Sequence, residues 1–338
     1  MKIHEAIETL IRGESLEREA SADVMGQIME GQASSALIAS FLTALRIKGE
    51  TADEIAGMAL TMRDRSLRVN LQEDSVDTAG TGGDGSGSFN ISTAAAFVAA
   101  AADLKVAKHG NRAASGKCGS ADLLEAVGSN IELSPSSVER CINDVNFGFM
   151  FAPLFHPAMK HAAPVRRELG IRTVFNLLGP LTNPAMARFQ LLGVADKSLG
   201  AKVSEVLQLM GSTHSMVVHG EDGLDEMTLG GITHIWELIH GEIKYYTISP
   251  EEMDLEYVSK NAIRGGDASH NAYLFKRVLS GDRGPFLDFV ALNSAAVLYV
   301  GGRVDTLKDG LKLAFEILRN KTALEKAREY VAMSQALT

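Results

Sequence analysis

Residues 77–97 read "DTAGTGGDGSGSFNISTAAAF", and five of the first eleven are glycine. Glycine loses more backbone freedom on folding than any other residue, so this density marks a place where the chain must turn sharply or lie bare against something. The cluster sits between a short apolar run, "SVDTA" at 75–79, and an Ala-rich helical run. Strand, glycine turn and helix in that order open an α/β unit, and the turn reads either as a structural tight turn or as a phosphate cradle.

Outward from this stretch the rhythm repeats. Short β runs at 104–109 ("LKVAKH"), 130–133 ("NIEL"), 147–153 ("FGFMFAP"), 189–195 ("FQLLGVA"), 215–220 ("SMVVHG") and 242–248 ("EIKYYTI") are spaced by helical runs such as "SPSSVERCINDV" and "GAKVSEVLQLMG". That alternation predicts an α/β domain with a central, mostly parallel sheet flanked by helices. A continuous helix is expected over 306–333. Ahead of the glycines, residues 2–66 read as helical throughout: Ile3, Ile7, Leu10 and Ile11 recur at helical spacing, and Gly49 ends a stripe that starts at Ser34. Thr51 with Glu54 forms a capping box for the next helix. The expected organisation is a small all-helical N-terminal domain over 1–72 and a larger α/β domain over 73–338. The Pro- and Gly-rich segment "PVRRELGIRTVFNLLGPLTNP" at 164–184 breaks the rhythm and is expected to rejoin the helical domain at about 164–186.

Composition narrows the function. With 338 residues, 46% of them hydrophobic, the chain is a globular protein too large for a single small module. A net charge of -9 argues against a protein that wraps nucleic acid. The two cysteines, Cys118 and Cys141, form no CxxC pair, so neither a zinc site nor a disulfide framework is indicated. The N-terminal stretch carries charges every few residues, unlike a signal peptide, and no apolar run reaches membrane-spanning length. These features describe a soluble cytoplasmic protein with neither a membrane nor a nucleic-acid partner.

Two loops carry the chemistry. Gly80, Gly82 and Gly85 spell G-x-G-x-x-G, but the next β run ends in Lys108 and His109 where a dinucleotide fold needs an acid for the ribose diol. The second loop, "KHGNRAASGKCGS", is not a Walker motif: Gly110 and Gly116 are six apart, and Cys118 stands at the magnesium-binding hydroxyl position. As a pair the loops suit a divided anion site. The amides of Gly80 to Gly85 and the helix start at Ser92 and Thr93 hold one phosphate, and Lys108 with the turn over 111–120 holds another. The alternative for one such loop alone is a tight turn and a capped helix.

Four stretches, "AGTGGDGSGSFNIST", "KHGNRAASGKCGSADLLEAVG", "HPAMKHAAPVRRELGIRTVFNLLGPLTNP" and "GLDEMTLGG", resemble the anthranilate phosphoribosyltransferase family, in order and over nearly the whole chain. The resemblance implies transfer of the phosphoribosyl group of phosphoribosyl pyrophosphate to anthranilate, the second step of tryptophan biosynthesis from chorismate. It also implies two magnesium ions per subunit and a homodimer formed through the helical domain. For phosphoribosyl pyrophosphate it implies Gly80, Gly83, Asp84, Ser88, Asn90, Ile91, Ser92, Thr93, Lys108 and Ser120. For anthranilate it implies Gly80, His109, Asn111, His156 and Arg166, and for magnesium Ser92, Asp225 and Glu226. Ser88 stands where threonine is common in the family, and Gly116 where serine is common. Other readings are a pyrimidine nucleoside phosphorylase, a non-catalytic nucleic-acid-binding relative and, poorly, a nicotinamide dehydrogenase. No residue is assigned as acid or base, since an aromatic amine is already neutral at pH 7.

Overall fold

A computed structural model describes residues 1–113 and 116–337. Ala114 and Ser115, part of the expected second anion loop, lie outside the described residues.

Four helices open the chain: α1 (Ile3–Ile11), α2 (Arg18–Met29), α3 (Ser35–Lys48) and α4 (Ala52–Asp64). Their limits follow local chemistry. Gly49 ends α3 at φ 87°. The Thr51–Glu54 box closes with bonds of 3.2 and 2.8 Å. Glu54 is fully buried, and its carboxylate also accepts from the Leu16 amide at 2.8 Å and from Lys48 Nζ at 2.9 Å. A buried charge is tolerable when paired and hydrogen-bonded in this way, and here it ties the α1–α2 connection to α4.

The chain then continues through β1 (Val76–Gly80), α5 (Ile91–Ala101), β2 (Val106–Gly110), α6 (Ser120–Ala126), α7 (Pro135–Val145), β3 (Phe147–Phe151), α8 (Ala152–Phe155), α9 (Ala163–Leu169) and α10 (Phe175–Leu181). It ends with β4 (Phe189–Gly193), α11 (Gly200–Leu209), β5 (His214–Gly220), β6 (Thr233–Ile239), β7 (Glu242–Ile248), α12 (Ala268–Leu279), α13 (Pro285–Val300), α14 (Leu307–Arg319) and α15 (Thr322–Ala336). The strands form one sheet in the order β3-β2-β1-β4-β5-β6-β7. The first five are parallel and β6 and β7 are antiparallel. Side chains alternate faces: Leu191, Met216 and Val218 join a core with α5 and α13, whereas Leu192 and Val217 join a second core. That second core contains Phe41, Leu45 and Ile55 of the N-terminal helices together with Val165 of α9 and Phe175, Leu178 and Leu181 of α10.

Three expectations need correction. Residues 130–133 are not a strand. Ile131 and Leu133 are buried in the core, but the Asn130 amide donates to Ser334 Oγ and the Glu132 amide to Asn130 Oδ1, so side chains satisfy the backbone that a ladder would have used. Strand β6, "THIWELI", stands outside the expected strands, and its pairing Gly220↔Thr233 turns the chain back on β5. The expected long C-terminal helix is two, because Lys321 takes a left-handed φ of 62° between α14 and α15. Helices α12 and α13 are likewise absent from the sequence reading.

Candidate active site

Strand order reverses its direction of growth at β1 and β4, and in open α/β sheets ligands bind beyond the carboxyl ends of the strands at such a point. Three loops meet there. The glycine loop follows β1, a short turn follows β4, and the β5–β6 connection brings Asp225 and Glu226 to the same edge.

Gly82, Gly83, Gly85 and Gly87 all have positive φ, between 60° and 77°, so the loop path requires glycine. The Gly82 amide donates to Asp225 Oδ2 at 2.7 Å. A Cβ on Gly80 would stand 2.3 Å from that oxygen, and one on Gly193 of β4 would stand 1.6 Å from the Asp225 carbonyl oxygen. Close approach of the acidic loop to these two strand ends is therefore the structural use of both glycines. The start of α5 has no side-chain cap: Asn90 instead donates to the Cys118 carbonyl at 3.1 Å and accepts from Asn271 at 2.8 Å, joining the two anion loops. The Ser92 amide lies on the Glu226 side of this edge and favours the ionised carboxylate.

Lys108 is almost fully buried, donating to the Thr78 carbonyl at 2.6 Å and reaching Ser92 Oγ at 3.4 Å. Burial lowers its pKa, opposed by the charges of Asp77 and Glu226. Burial pushes the Glu226 carboxyl up to about 8, with the adjacent Asp225 adding to the rise and Lys108 opposing it. Asp225 is raised for the same reason, burial first and then the charge of Asp84. Asp84 Oδ2 is itself buried without a hydrogen-bond partner. Clustered carboxylates with unspent acceptor capacity fit a hard divalent cation such as magnesium. Among the described residues no three His, Cys, Asp or Glu side chains close a metal cage by themselves, so such an ion would complete its shell with substrate oxygens.

The remaining predicted residues divide. Ser120 Oγ donates to the Asn111 carbonyl at 3.3 Å, placing both in the second loop. Thr93 Oγ1 is buried without a partner. Ile91 is buried in the core and offers only its backbone, and Ser88 bridges to Arg264. His109 and His156 face each other with ring centroids 5.0 Å apart. His109 Nδ1 donates to the Gly179 carbonyl at 3.2 Å, while Nε2 of both rings is buried and unpartnered. Burial pulls His109 down to about 3 and His156 to about 4, so both are neutral at pH 7. Arg166 comes from α9, its guanidinium over the Phe175 ring at 5.0 Å and lowered in pKa by burial. Cys118 is no nucleophile: burial raises its thiol to about 11.

Residues 4–66 match the helical bundle domain of a glycosyl transferase family, and residues 72–324 match its a/b domain. Anthranilate phosphoribosyltransferase of Dehalococcoides mccartyi is 54% identical over 337 residues, 99% of each chain. The chain belongs to the anthranilate phosphoribosyltransferase family. Among solved structures, anthranilate phosphoribosyltransferase of Thermus thermophilus superposes with a TM-score of 0.93 at 45% identity, covering 98% of this chain and 99% of that one. The Saccharomyces cerevisiae member of the family, solved in complex with PRPP and Mg, gives 0.91 at 30% identity, covering 99% and 98%.

Several supports of this phosphoribosyltransferase site escape sequence reasoning. Asp77, fully buried, accepts from Asn183 Nδ2 at 2.7 Å and from the His109 amide at 3.4 Å, and its charge favours the Lys108 ammonium through space. Arg172 donates to the Gly83 carbonyl at 3.4 Å. Asp222 accepts from Thr228 Oγ1 at 2.9 Å inside the acidic loop. The one local signal is an acid within an apolar strand run at Asp77; Arg172 reaches its partner across a long sequence separation, and Asp222 has no pattern of its own.

Proposed function

We infer that the protein is an anthranilate phosphoribosyltransferase, moving the 5-phosphoribosyl group of phosphoribosyl pyrophosphate to the amine of anthranilate with release of pyrophosphate. One observation carries the reading: in a chain alike to this family over its full length, the bare glycine amides, Lys108 and the Asp225–Glu226 pair converge at the β1/β4 edge.

The anomeric C–O bond breaks toward pyrophosphate as the amine lone pair forms the new C–N bond, and the amine proton is lost to solvent. Negative charge grows on the departing pyrophosphate. The Lys108 ammonium, the Ser92 hydroxyl and the Gly83 amide are the donors assigned to it, a form of stabilisation worth several kcal/mol in fixed sites. Asp84, Asn90, Thr93 and Ser120 are assigned to the rest of the phosphoribosyl group. Ser92, Asp225 and Glu226 would hold magnesium, assigned as two ions per subunit, which when bound would supply neutralisation of the charge on the departing group. Arg166 is assigned to the carboxylate of anthranilate: it makes no side-chain hydrogen bond or ion pair among the described residues, and a guanidinium binds carboxylate bidentately. The neutral rings of His109 and His156, with Asn111 and Gly80, line the aromatic acceptor and move no proton. Holding amine and anomeric carbon in line supplies the rest of the rate.

The same reading includes a homodimer through the helical unit, residues 1–72 with about 164–186. It is supported by Ile11 and Ile47, 67% and 82% exposed at the ends of α1 and α3. A cytoplasmic setting is supported by the free thiols of Cys118 and Cys141. No described helix is long and apolar enough to cross a membrane.

The test is to follow anthranilate fluorescence on mixing protein, anthranilate, phosphoribosyl pyrophosphate and magnesium, with EDTA as control. Loss of signal with stoichiometric pyrophosphate release is expected. A folded protein that consumes no anthranilate would overturn the reading in favour of a phosphorylase or a silent relative.

A further inference from the structure

Helix α13 runs "PFLDFVALNSAAVLYV", and residues 289–298 are all buried. A side-chain amide inside such a helix is costly unless every polar atom is satisfied. Asn293 is 0% exposed and meets that condition in one particular way. Its Oδ1 accepts from the Met227 amide at 2.9 Å, and its Nδ2 donates to the Met227 carbonyl at 3.0 Å and to the Phe289 carbonyl at 2.9 Å. Both backbone groups of Met227, the residue directly after Glu226, are thus held by one side chain 66 positions away. The other bonds that shape this loop attach further from the acidic pair on that side: Thr228 to Asp222 and Thr233, Val258 to Leu229.

We propose that Asn293 is a positioning residue for magnesium binding, fixing the Met227 peptide and with it the places of the Asp225 and Glu226 carboxylates. The proposal rests on the transferase reading above. Asp225 and Glu226 stand next to the Met227 peptide, so without that peptide fixed their side chains take other positions, and a metal must then gather them at the expense of its affinity. Neighbouring Ser294 is the internal contrast. It is equally buried, but its Oγ donates only to Val290 of its own helix, at 2.6 Å.

The experiment compares wild type, Asn293→Leu, Asn293→Asp and Ser294→Ala in the whole protein. Two readouts are taken: the magnesium concentration for half-maximal activity, and the rise in melting temperature on adding phosphoribosyl pyrophosphate with magnesium. Asn293→Leu should raise the half-maximal magnesium concentration about 10- to 100-fold with a far smaller change in turnover at saturation, and lose most of the thermal shift. Asn293→Asp keeps an acceptor for the Met227 amide and should fall between; it carries the test should the leucine variant fail to fold. Ser294→Ala should lower the melting temperature while leaving the magnesium curve at wild type. Wild-type magnesium dependence in both Asn293 variants would overturn the proposal, as would an equal magnesium shift in Ser294→Ala. Wild-type protein that binds the magnesium complex thermally but consumes no anthranilate would sink the transferase reading alone, leaving the thermal comparison to decide the role of Asn293.

Discussion

At the scale of single residues, burial is the force that decides protonation in this site. His109 and His156 ordinarily titrate near 6.5 but are held near 3 and 4 by desolvation. The unfolded chain takes up their protons first as pH falls. Their contribution to stability is therefore complete above about pH 6.5 and declines toward pH 4, by about 1.4 kcal/mol per pH unit for each ring. Urea midpoints at pH 7.5 and 5 should show this slope, and it should flatten in His109→Phe and His156→Phe; an unchanged slope would mean that the rings are not desolvated. The same neutrality bears on catalysis. Replacing Asp225 and Glu226 together by alanine should cut turnover about 100-fold or more. Replacing either histidine by alanine should cost less than about tenfold, since no proton transfer is assigned to it. A double variant with full magnesium-dependent turnover would remove the acidic pair from the mechanism.

At the scale of elements, close approaches set the positions of the loops. Gly193→Ala places a Cβ 1.6 Å from the Asp225 carbonyl oxygen, so the acidic loop must move by about an ångström or more. Misplacement of that size should lower kcat/KM about 100-fold, and steady-state kinetics at saturating magnesium would expose a smaller effect. In the helical unit, α2 and α4 cross at Gly57, where a Cβ would stand 2.2 Å from the Arg18 carbonyl oxygen and 2.3 Å from Ser21 Oγ. Gly57→Ala should destabilise by about 1–3 kcal/mol in chemical unfolding. No measurable change would show that the two helices separate freely.

At the scale of the whole molecule, a ligand bridging the glycine loop, Lys108 and the acidic loop ties together parts of the chain far apart in sequence. Saturation with phosphoribosyl pyrophosphate and magnesium at about 100 times the dissociation constant should add about 2.7 kcal/mol to the unfolding free energy. EDTA should abolish the gain; its survival would show binding that does not use the metal. The proposed dimer belongs to this scale as well. Charged replacements at Ile11 and Ile47 should shift sedimentation velocity from dimer to monomer, and an unaltered dimer would place the interface elsewhere.

Much of the architecture is written in local patterns. The glycine loop, its Lys108 partner strand, the capping box at Thr51 and the apolar stripes of α3 and α4 depend on neighbours a few residues away, so periodicity and turn chemistry expose them. Four separated motifs also carry the family resemblance. The failures have a common cause. The "NIEL" stretch has the composition of a strand but spends its amides on Ser334 and Asn130, and "THIWELI" becomes β6 because β5 lies beside it. Lys108 reaches across to the Thr78 carbonyl of another strand, and Met227 gains its clamp from Asn293 on a helix 66 residues on. Local sequence determined which segments turn, coil and extend, because those choices are settled by short-range sterics and hydrogen bonding. Only the tertiary structure decided which polar groups face one another in the core, because desolvation acts on whatever folding brings together, without regard to distance along the chain.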